Sequence, residues 1–232
     1  MKKLNLTLVI LFLISGCHKT FNYVEVRQSF LHIQHTVTVH VCDQGQCQEA
    51  DASISGSGFM LSRTAEATWG MTAAHLCAAP NLDPKLQYES HITITDIYGR
   101  KFDVEEAFVH MQTDVCILKL PAALDLPSLP IAPAPPQLGD KVFTVSAPSG
   151  IFNAGMVPMF EGRYVGETPS QVLQINLASY TLPTVGGSSG APVLNAAGEV
   201  VGMTIMSRLG FETFALSVPY SVLAQISRNL PQ

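Results

Sequence analysis

Three short stretches of this sequence hold the side chains that acyl transfer requires. Gly186-Gly187-Ser188-Ser189-Gly190-Ala191-Pro192 sets a hydroxyl among glycines, where the backbone turns tightly and presents an Oγ together with its own N–H groups. Thr72-Ala73-Ala74-His75 ends an apolar run on an imidazole, and Thr113-Asp114-Val115-Cys116-Ile117-Leu118 opens one on a carboxylate. A serine hydroxyl at its ordinary pKa is a poor nucleophile, so attack on a carbonyl needs a neutral imidazole to take the proton. A carboxylate that accepts from the other ring nitrogen fixes the tautomer. The oxyanion that develops needs donors already in place, and the backbone N–H groups of Gly187 and Ser189 are the candidates. His75 is therefore read as general base, Asp114 as its orienter and Ser189 as nucleophile, in one of the chain orders known for such a triad. Asp96 and Asp103 lack the apolar strand that follows Asp114, and His110 reads as a surface residue.

The elements that must position these residues are strands. Leu31, Ile33, Val37, Val39 and Val41 alternate with His32, Gln34, Thr36, Thr38 and His40, the period of a half-buried strand, with His35 interrupting the apolar face. Alternation accounts for most of these histidines as solvent-side residues, so no metal site is expected. Residues 53–61 read as a strand whose glycines allow close backbone approach, 68–73 as the strand that delivers His75, and 91–97 and 115–120 as two more. Pro80, Asp83 and Pro84 mark a loop. Pro121 to Pro136 holds six prolines in sixteen residues and reads as an extended connector near the middle of the chain. Beyond it, strands are expected at 139–145, 160–166, 171–178, 191–194, 199–206 and 213–218, then a helix from Pro219 to Leu230. The chain reads as all-β.

The 232 residues are 47% hydrophobic and 13% charged, enough to bury a sizeable core. A net charge of -5 excludes the basic surface that nucleic-acid binding requires. Met1-Lys2-Lys3, an apolar run from Leu6 to Ile14 and then Ser15-Gly16-Cys17 have the regions of a secretory signal, too short in its apolar part to span a bilayer. Ile14-Ser15-Gly16-Cys17 further resembles the bacterial lipoprotein box, which implies cleavage before Cys17 and a mature chain of 232 − 16 = 216 residues tethered to the cell envelope through that lipidated cysteine. His18, where an Asp would imply retention at the inner membrane, leans the resemblance to the outer membrane; the alternative is an ordinary signal and a soluble exported protein. Four cysteines remain for an oxidising compartment. Cys42 and Cys47 bracket the turn-forming Asp43-Gln44-Gly45-Gln46, and Cys77 and Cys116 each lie two residues beyond His75 and Asp114. Contact between His75 and Asp114 would bring Cys77 and Cys116 together, as a bridge or as two buried thiols.

Gly56-Ser57-Gly58-Phe59, Thr72-Ala73-Ala74-His75, Asp114-Val115-Cys116-Ile117-Leu118 and Gly187-Ser188-Ser189-Gly190-Ala191-Pro192 resemble, in order and spacing, the blocks of chymotrypsin-fold serine peptidases, most of all the bacterial and viral branch with the HtrA-type and glutamyl endopeptidases. The resemblance implies two six-stranded antiparallel Greek-key β-barrels with a C-terminal helix. It divides the chain into a signal peptide (1–16), a tether (17–24), a first barrel (25–120) with His75 and Asp114, the linker (121–136) and a second barrel with the terminal helix (137–232) and Ser189. It implies a serine endopeptidase that uses no cofactor and takes protein or peptide substrates, with Ser189 rather than Ser188 as nucleophile because Ser189 precedes Gly190. It also places Pro183 at the base of the primary pocket and Thr204, Ile205 and Met206 along the substrate backbone, which favours a small or medium apolar side chain over Lys or Arg. Ser188 stands where digestive members carry an activating Asp, so no zymogen ion pair is expected. No stretch after the helix is long enough for a PDZ domain, so gating of the HtrA kind is not expected. The alternative function is a catalytically silent protease-fold lipoprotein acting as a binding or surface protein.

Overall fold

A computed structural model describes residues 21–43, 46–64, 67–79, 86–208 and 210–229. The signal-like segment, Cys17, His18 and the 80–85 loop lie outside the described residues, as do the side chains of Cys42 and Cys47 and any bridge between them.

Alternation builds the first barrel. In β1 (Phe30–Asp43), Leu31 and Ile33 are fully buried while His32, Gln34 and Thr36 are half-buried. β1 pairs antiparallel with β2 (Gln46–Arg63) from Phe30↔Phe59 to Asp43↔Gln46, which sets Cys42 opposite Cys47 in the backbone. The hairpin extends past the predicted start at residue 53, because ladder bonds to β1 hold the polar stretch 46–52 in register despite its poor strand propensity. The other edge of β1 carries β4 (Gln87–Asp96), and β2 leads to β3 (Thr68–Ala73), which pairs with β7 (Val115–Leu120). His35 is buried and satisfied: the Leu76 carbonyl, 3.0 Å from Nδ1, can only accept, so Nε2 takes the Ser90 hydroxyl at 2.6 Å.

Closure comes from a segment that the sequence pattern does not mark as a strand. β5 (Lys101–Asp103) pairs with β4 and β6 (Glu106–His110) with β7, with only Val104 and Glu105 between them. There the backbone changes partners: Val104 N–H donates to the Ile92 carbonyl at 3.0 Å and Glu105 N–H to the Lys119 carbonyl at 2.9 Å. Residues 101–110 are thus one bent strand joining both edges of the sheet. Phe102 and Val104 alternate with Lys101, Asp103 and Glu105, but the pattern breaks at Glu105-Glu106, where the strand bends, and Phe108 and Val109 are exposed side by side beyond it.

The second barrel contains β8 (Lys141–Val145), β9 (Met159–Pro169), β10 (Asn176–Tyr180), β11 (Pro192–Leu194), β12 (Val200–Arg208) and β13 (Phe211–Pro219), closed in the order β10-β13-β12-β11-β8-β9. In both barrels three strands form a meander, the fourth returns beside the first and the last closes against the third, the Greek-key path. The expected strand at 171–178 starts only at Asn176, because the Ser170 hydroxyl accepts from the N–H groups of Val172 and Leu173 and folds that stretch into a turn. A helix, α2 (Tyr220–Asn229), ends the described chain and buries Leu223.

Two segments lock the barrels together. Within the proline-rich connector, Leu124 and Leu126 enter the core of the first barrel, Leu129 enters the core shared by both, and Ala132 enters the core of the second. Prolines remove ladder donors, yet the leucines between them still bury apolar surface, at about 2 kcal/mol each. At the other end, residues assigned to the tether fold back: α1 (Tyr23–Val26) is capped by the Asn22 side chain, Phe21 stacks on Phe143 at 3.9 Å, and Tyr23 Oη donates to the Val157 carbonyl at 2.6 Å. Phe30, Phe59, Met71 and Leu76 of the first barrel share one core with Phe143, Val145, Met203 and Ile205 of the second.

Candidate active site

The three predicted residues sit on three different turns at the barrel interface. β3 ends at Ala73, and a single 3-10 turn, Ala74–Leu76, turns His75 outward while Ala74 and Leu76 stay buried. Asp114 lies at the end of a tight turn just before β7, its N–H donating to the Met111 carbonyl at 3.3 Å and its φ at 54°. Left-handed backbone costs an L-residue about 1–2 kcal/mol, least for Asp and Asn. Here it brings the whole residue against His75. Asp114 Oδ1 accepts from the His75 backbone N–H at 2.9 Å, Oδ2 lies 2.8 Å from Nδ1, and the Asp114 carbonyl accepts from Ala74 N–H at 3.1 Å. A carboxylate that accepts from Nδ1–H leaves the Nε2 lone pair free, and the His75 side chain is 40% exposed while that of Asp114 is 8%.

The Cys77–Cys116 bridge is formed, closing a loop across 39 positions directly behind this pair. It ties the strand that leaves Asp114 to the turn that carries His75.

The loop that carries Ser189 is held by hydrogen bonds on several sides. Gly190 N–H donates to the Thr204 carbonyl at 2.7 Å, and Thr204 N–H donates to the Ala191 carbonyl at 2.9 Å. Gly190 has φ 84°, and a Cβ there would run into the Ser57 carbonyl and the Thr72 hydroxyl, so only glycine lets this loop reach the strand that leads to His75. Ser189 is half-buried; its carbonyl accepts from Ser57 N–H at 2.8 Å, and its hydroxyl donates to the Ile205 carbonyl at 3.2 Å. The register of β12 against β13 shifts between Thr204 and Met206, a bulge that aims the Ile205 carbonyl at Ser189.

The two candidate oxyanion donors are oriented through the carbonyls of their own peptides. Gly186 C=O accepts from Ser149 N–H at 2.6 Å and Ser188 C=O accepts from Ala191 N–H at 3.1 Å. In a trans peptide the N–H points opposite the C=O, so Gly187 N–H and Ser189 N–H are turned away from those internal partners. Neither N–H meets an acceptor among the described residues. Gly187 has φ 91°, and a Cβ there would run into the Ala147 carbonyl. Ser188 is buried within its own turn, where its N–H donates to the Val185 carbonyl at 3.0 Å and its hydroxyl accepts from Val185 N–H at 3.4 Å.

Of the predicted pocket residues, Pro183 is half-buried four residues before Gly187, Thr204 is buried, Ile205 lies in the shared core and Met206 packs against its edge. Ile205 thus faces the site with its backbone and not its side chain. Asp96, set aside as an orienter, is fully buried and accepts from the N–H groups of Tyr98 and Arg100, both at 2.9 Å, and from Arg100 Nε at 2.6 Å. Among the described residues no group of His, Cys, Asp and Glu is arranged to hold a metal ion. The residue that the motif chemistry passed over is Ser57, quoted above only as part of Gly56-Ser57-Gly58-Phe59.

Known proteins are similar to this chain in sequence and in fold. The putative serine protease HhoB of Synechocystis is 25% identical over 179 residues, which cover 76% of this chain and 40% of that protein. The putative protease Do-like 14 of Arabidopsis thaliana is 26% identical over 165 residues, covering 67% of this chain and 37% of that one. The chain therefore spans about two fifths of the length of these curated relatives. Among solved structures, the Rv3671c protease of M. tuberculosis matches with a TM-score of 0.66 at 18% identity, over 90% of this chain and 84% of the other. The HtrA-type protease AlgW with a decapeptide matches with a TM-score of 0.67 at 16% identity, over 90% and 67%. These likenesses establish the fold. The model of the trypsin-like peptidase domain matches residues 56–203, a span that contains His75, Asp114 and Ser189 and exceeds half of the chain, and the chain belongs to that family.

Proposed function

We propose that this protein is a serine endopeptidase that cleaves peptide bonds through an acyl-enzyme on Ser189. The observation that carries the reading is the double grip of Asp114 on His75, which leaves Nε2 free, together with a Ser189 loop whose Gly187 and Ser189 N–H groups meet no acceptor among the described residues. As a substrate carbonyl enters, the Ser189 hydroxyl leaves the Ile205 carbonyl and meets Nε2. Oγ attacks the carbonyl carbon, the hydroxyl proton passes to His75, and the C=O electron pair becomes an oxyanion facing Gly187 N–H and Ser189 N–H. His75 then gives its proton to the departing amine. Water repeats the sequence in reverse and releases the acid.

Substrates are polypeptides, a reading supported by the family and by the peptide named with AlgW. Pro183 offers no counter-charge for Lys or Arg, so the residue before the scissile bond is small or medium and apolar. The resting bond from Ser189 Oγ to Ile205 is the one feature that favours the second reading, a silent protease fold used for binding. The resemblance of Ile14-Ser15-Gly16-Cys17 to a lipoprotein box supports a tether to the cell envelope through Cys17, facing the periplasm and by preference on the outer membrane; palmitate incorporation that persists in Cys17→Ser would refute this. Incubating the purified protein with a peptide library and sequencing the products tests activity and preference together. Cleavage after Val, Ala or Leu that Ser189→Ala abolishes is expected; no cleavage, or cleavage that survives Ser189→Ala, overturns the endopeptidase reading.

A further inference from the structure

Ser57 stands apart from the triad and uses all of its polar atoms at the barrel interface. It is fully buried. Its Oγ donates to the Gly187 carbonyl at 2.7 Å and accepts from the Ala147 N–H at 2.9 Å. Its N–H donates to the Ser189 carbonyl at 2.8 Å, and its own carbonyl accepts from the Thr72 hydroxyl at 2.7 Å. One residue of the first barrel therefore touches both sides of the nucleophile loop, the segment facing that loop, and the strand that delivers His75.

These contacts fall where the oxyanion donors are set. The Gly186–Gly187 peptide is oriented by Ser149 N–H, and Ser149 lies two residues beyond Ala147, whose N–H ends on Ser57 Oγ. The next carbonyl, Gly187 C=O, also ends on Ser57 Oγ. Glycine at φ 91° has no Cβ to resist rotation, so what keeps the Gly187 N–H facing the cleft is the pair of bonds on either side of it. A hydroxyl is suited to this task because it donates and accepts at once, and a methyl group of similar size does neither.

We infer that Ser57 is a positioning residue for the oxyanion donors, acting on catalysis through the orientation of Gly187 without touching the substrate. The inference rests on the endopeptidase reading. Without the Ser57 hydroxyl, the Gly187 carbonyl and Ala147 N–H lose their partner in a buried interface, and the donors lose their shared anchor. The loss falls on the charged intermediate and spares ground-state binding.

The test compares two probes on one variant. The aldehyde of Ala-Ala-Pro-Val adds Ser189 Oγ to its carbonyl carbon, passes the hydroxyl proton to His75 and leaves an oxyanion between the donors. The corresponding alcohol binds the same cleft and forms no oxyanion. In wild type the aldehyde binds far more tightly than the alcohol. In Ser57→Ala the aldehyde weakens by about 10–100-fold, kcat for peptide hydrolysis falls by a similar factor, and alcohol affinity and KM stay within about twofold. Equal weakening of both probes, as partial unfolding would give, overturns the inference, as does an unchanged aldehyde affinity. A wild-type protein that does not distinguish aldehyde from alcohol overturns the endopeptidase reading itself.

Discussion

Asp114 holds His75 by two bonds from one carboxylate, at 2.9 Å to the backbone N–H and 2.8 Å to Nδ1. The first sets the turn and the second sets the ring. In Asp114→Asn the amide NH2 can donate to Nδ1, which moves the proton to Nε2 and removes the lone pair that the proposed attack by Ser189 requires. An activity loss of about 10⁴-fold in kcat is expected with little loss of fold. Steady-state kinetics with a peptide ester, alongside thermal melting, checks both halves.

The Gly187 N–H, proposed as an oxyanion donor, is set by a conformation that L-residues avoid. In Gly187→Ala, the new Cβ meets the Ala147 carbonyl and φ is driven away from 91°. The N–H then leaves the cleft, and kcat falls by about 10²–10³-fold with KM nearly constant. A KM rise with kcat unchanged would place Gly187 in substrate binding instead.

The Cys77–Cys116 bridge spans 39 positions. By the chain-entropy estimate, a loop of that size stabilises the fold by about 4 kcal/mol. The double variant Cys77→Ser/Cys116→Ser should lose most of that in chemical denaturation. Because the bridge backs both His75 and Asp114, activity should decline before global unfolding as denaturant is raised, whereas in the bridged protein the two transitions coincide.

His32 stacks on Phe152 at 5.1 Å, and its Nε2 is buried without a partner among the described residues. Burial first, and Lys101 second, hold its pKa below the ordinary 6.5. The unfolded chain therefore binds a proton at a pH where the folded one does not. Stability is full above about pH 6.5 and is lost as pH falls from there through the lower folded-state value. His32→Phe should flatten this part of the stability profile, as measured by denaturation at pH 7 and pH 5. An equally steep decline in the variant would place the acid sensitivity elsewhere.

Much of the candidate site was legible because each of its parts is local. His75 closes one apolar run, Asp114 opens another, and Ser189 lies in a glycine turn, so motif and spacing carried all three. Less local features were not legible. Ser57 owes its role to bonds across 90 and 130 positions, which no spacing along the chain encodes. The strand at 101–110 alternates only as far as Glu105 and bends at Glu105-Glu106, and the Ser170 turn overrode strand propensity with two side-chain bonds. The first helix depends on Asn22 as its cap and on Phe143 and Val157 in the second barrel, partners more than 100 residues away.

The central claim is that Ser189 is an activated nucleophile. Treating the purified protein with a fluorophosphonate and mapping the adduct by mass spectrometry of its peptides tests it most directly. One adduct is expected, on the peptide that carries Ser189, absent from Ser189→Ala and formed far more slowly in Asp114→Asn. Wild-type protein that takes no label, or labelling that survives Ser189→Ala, would contradict the account.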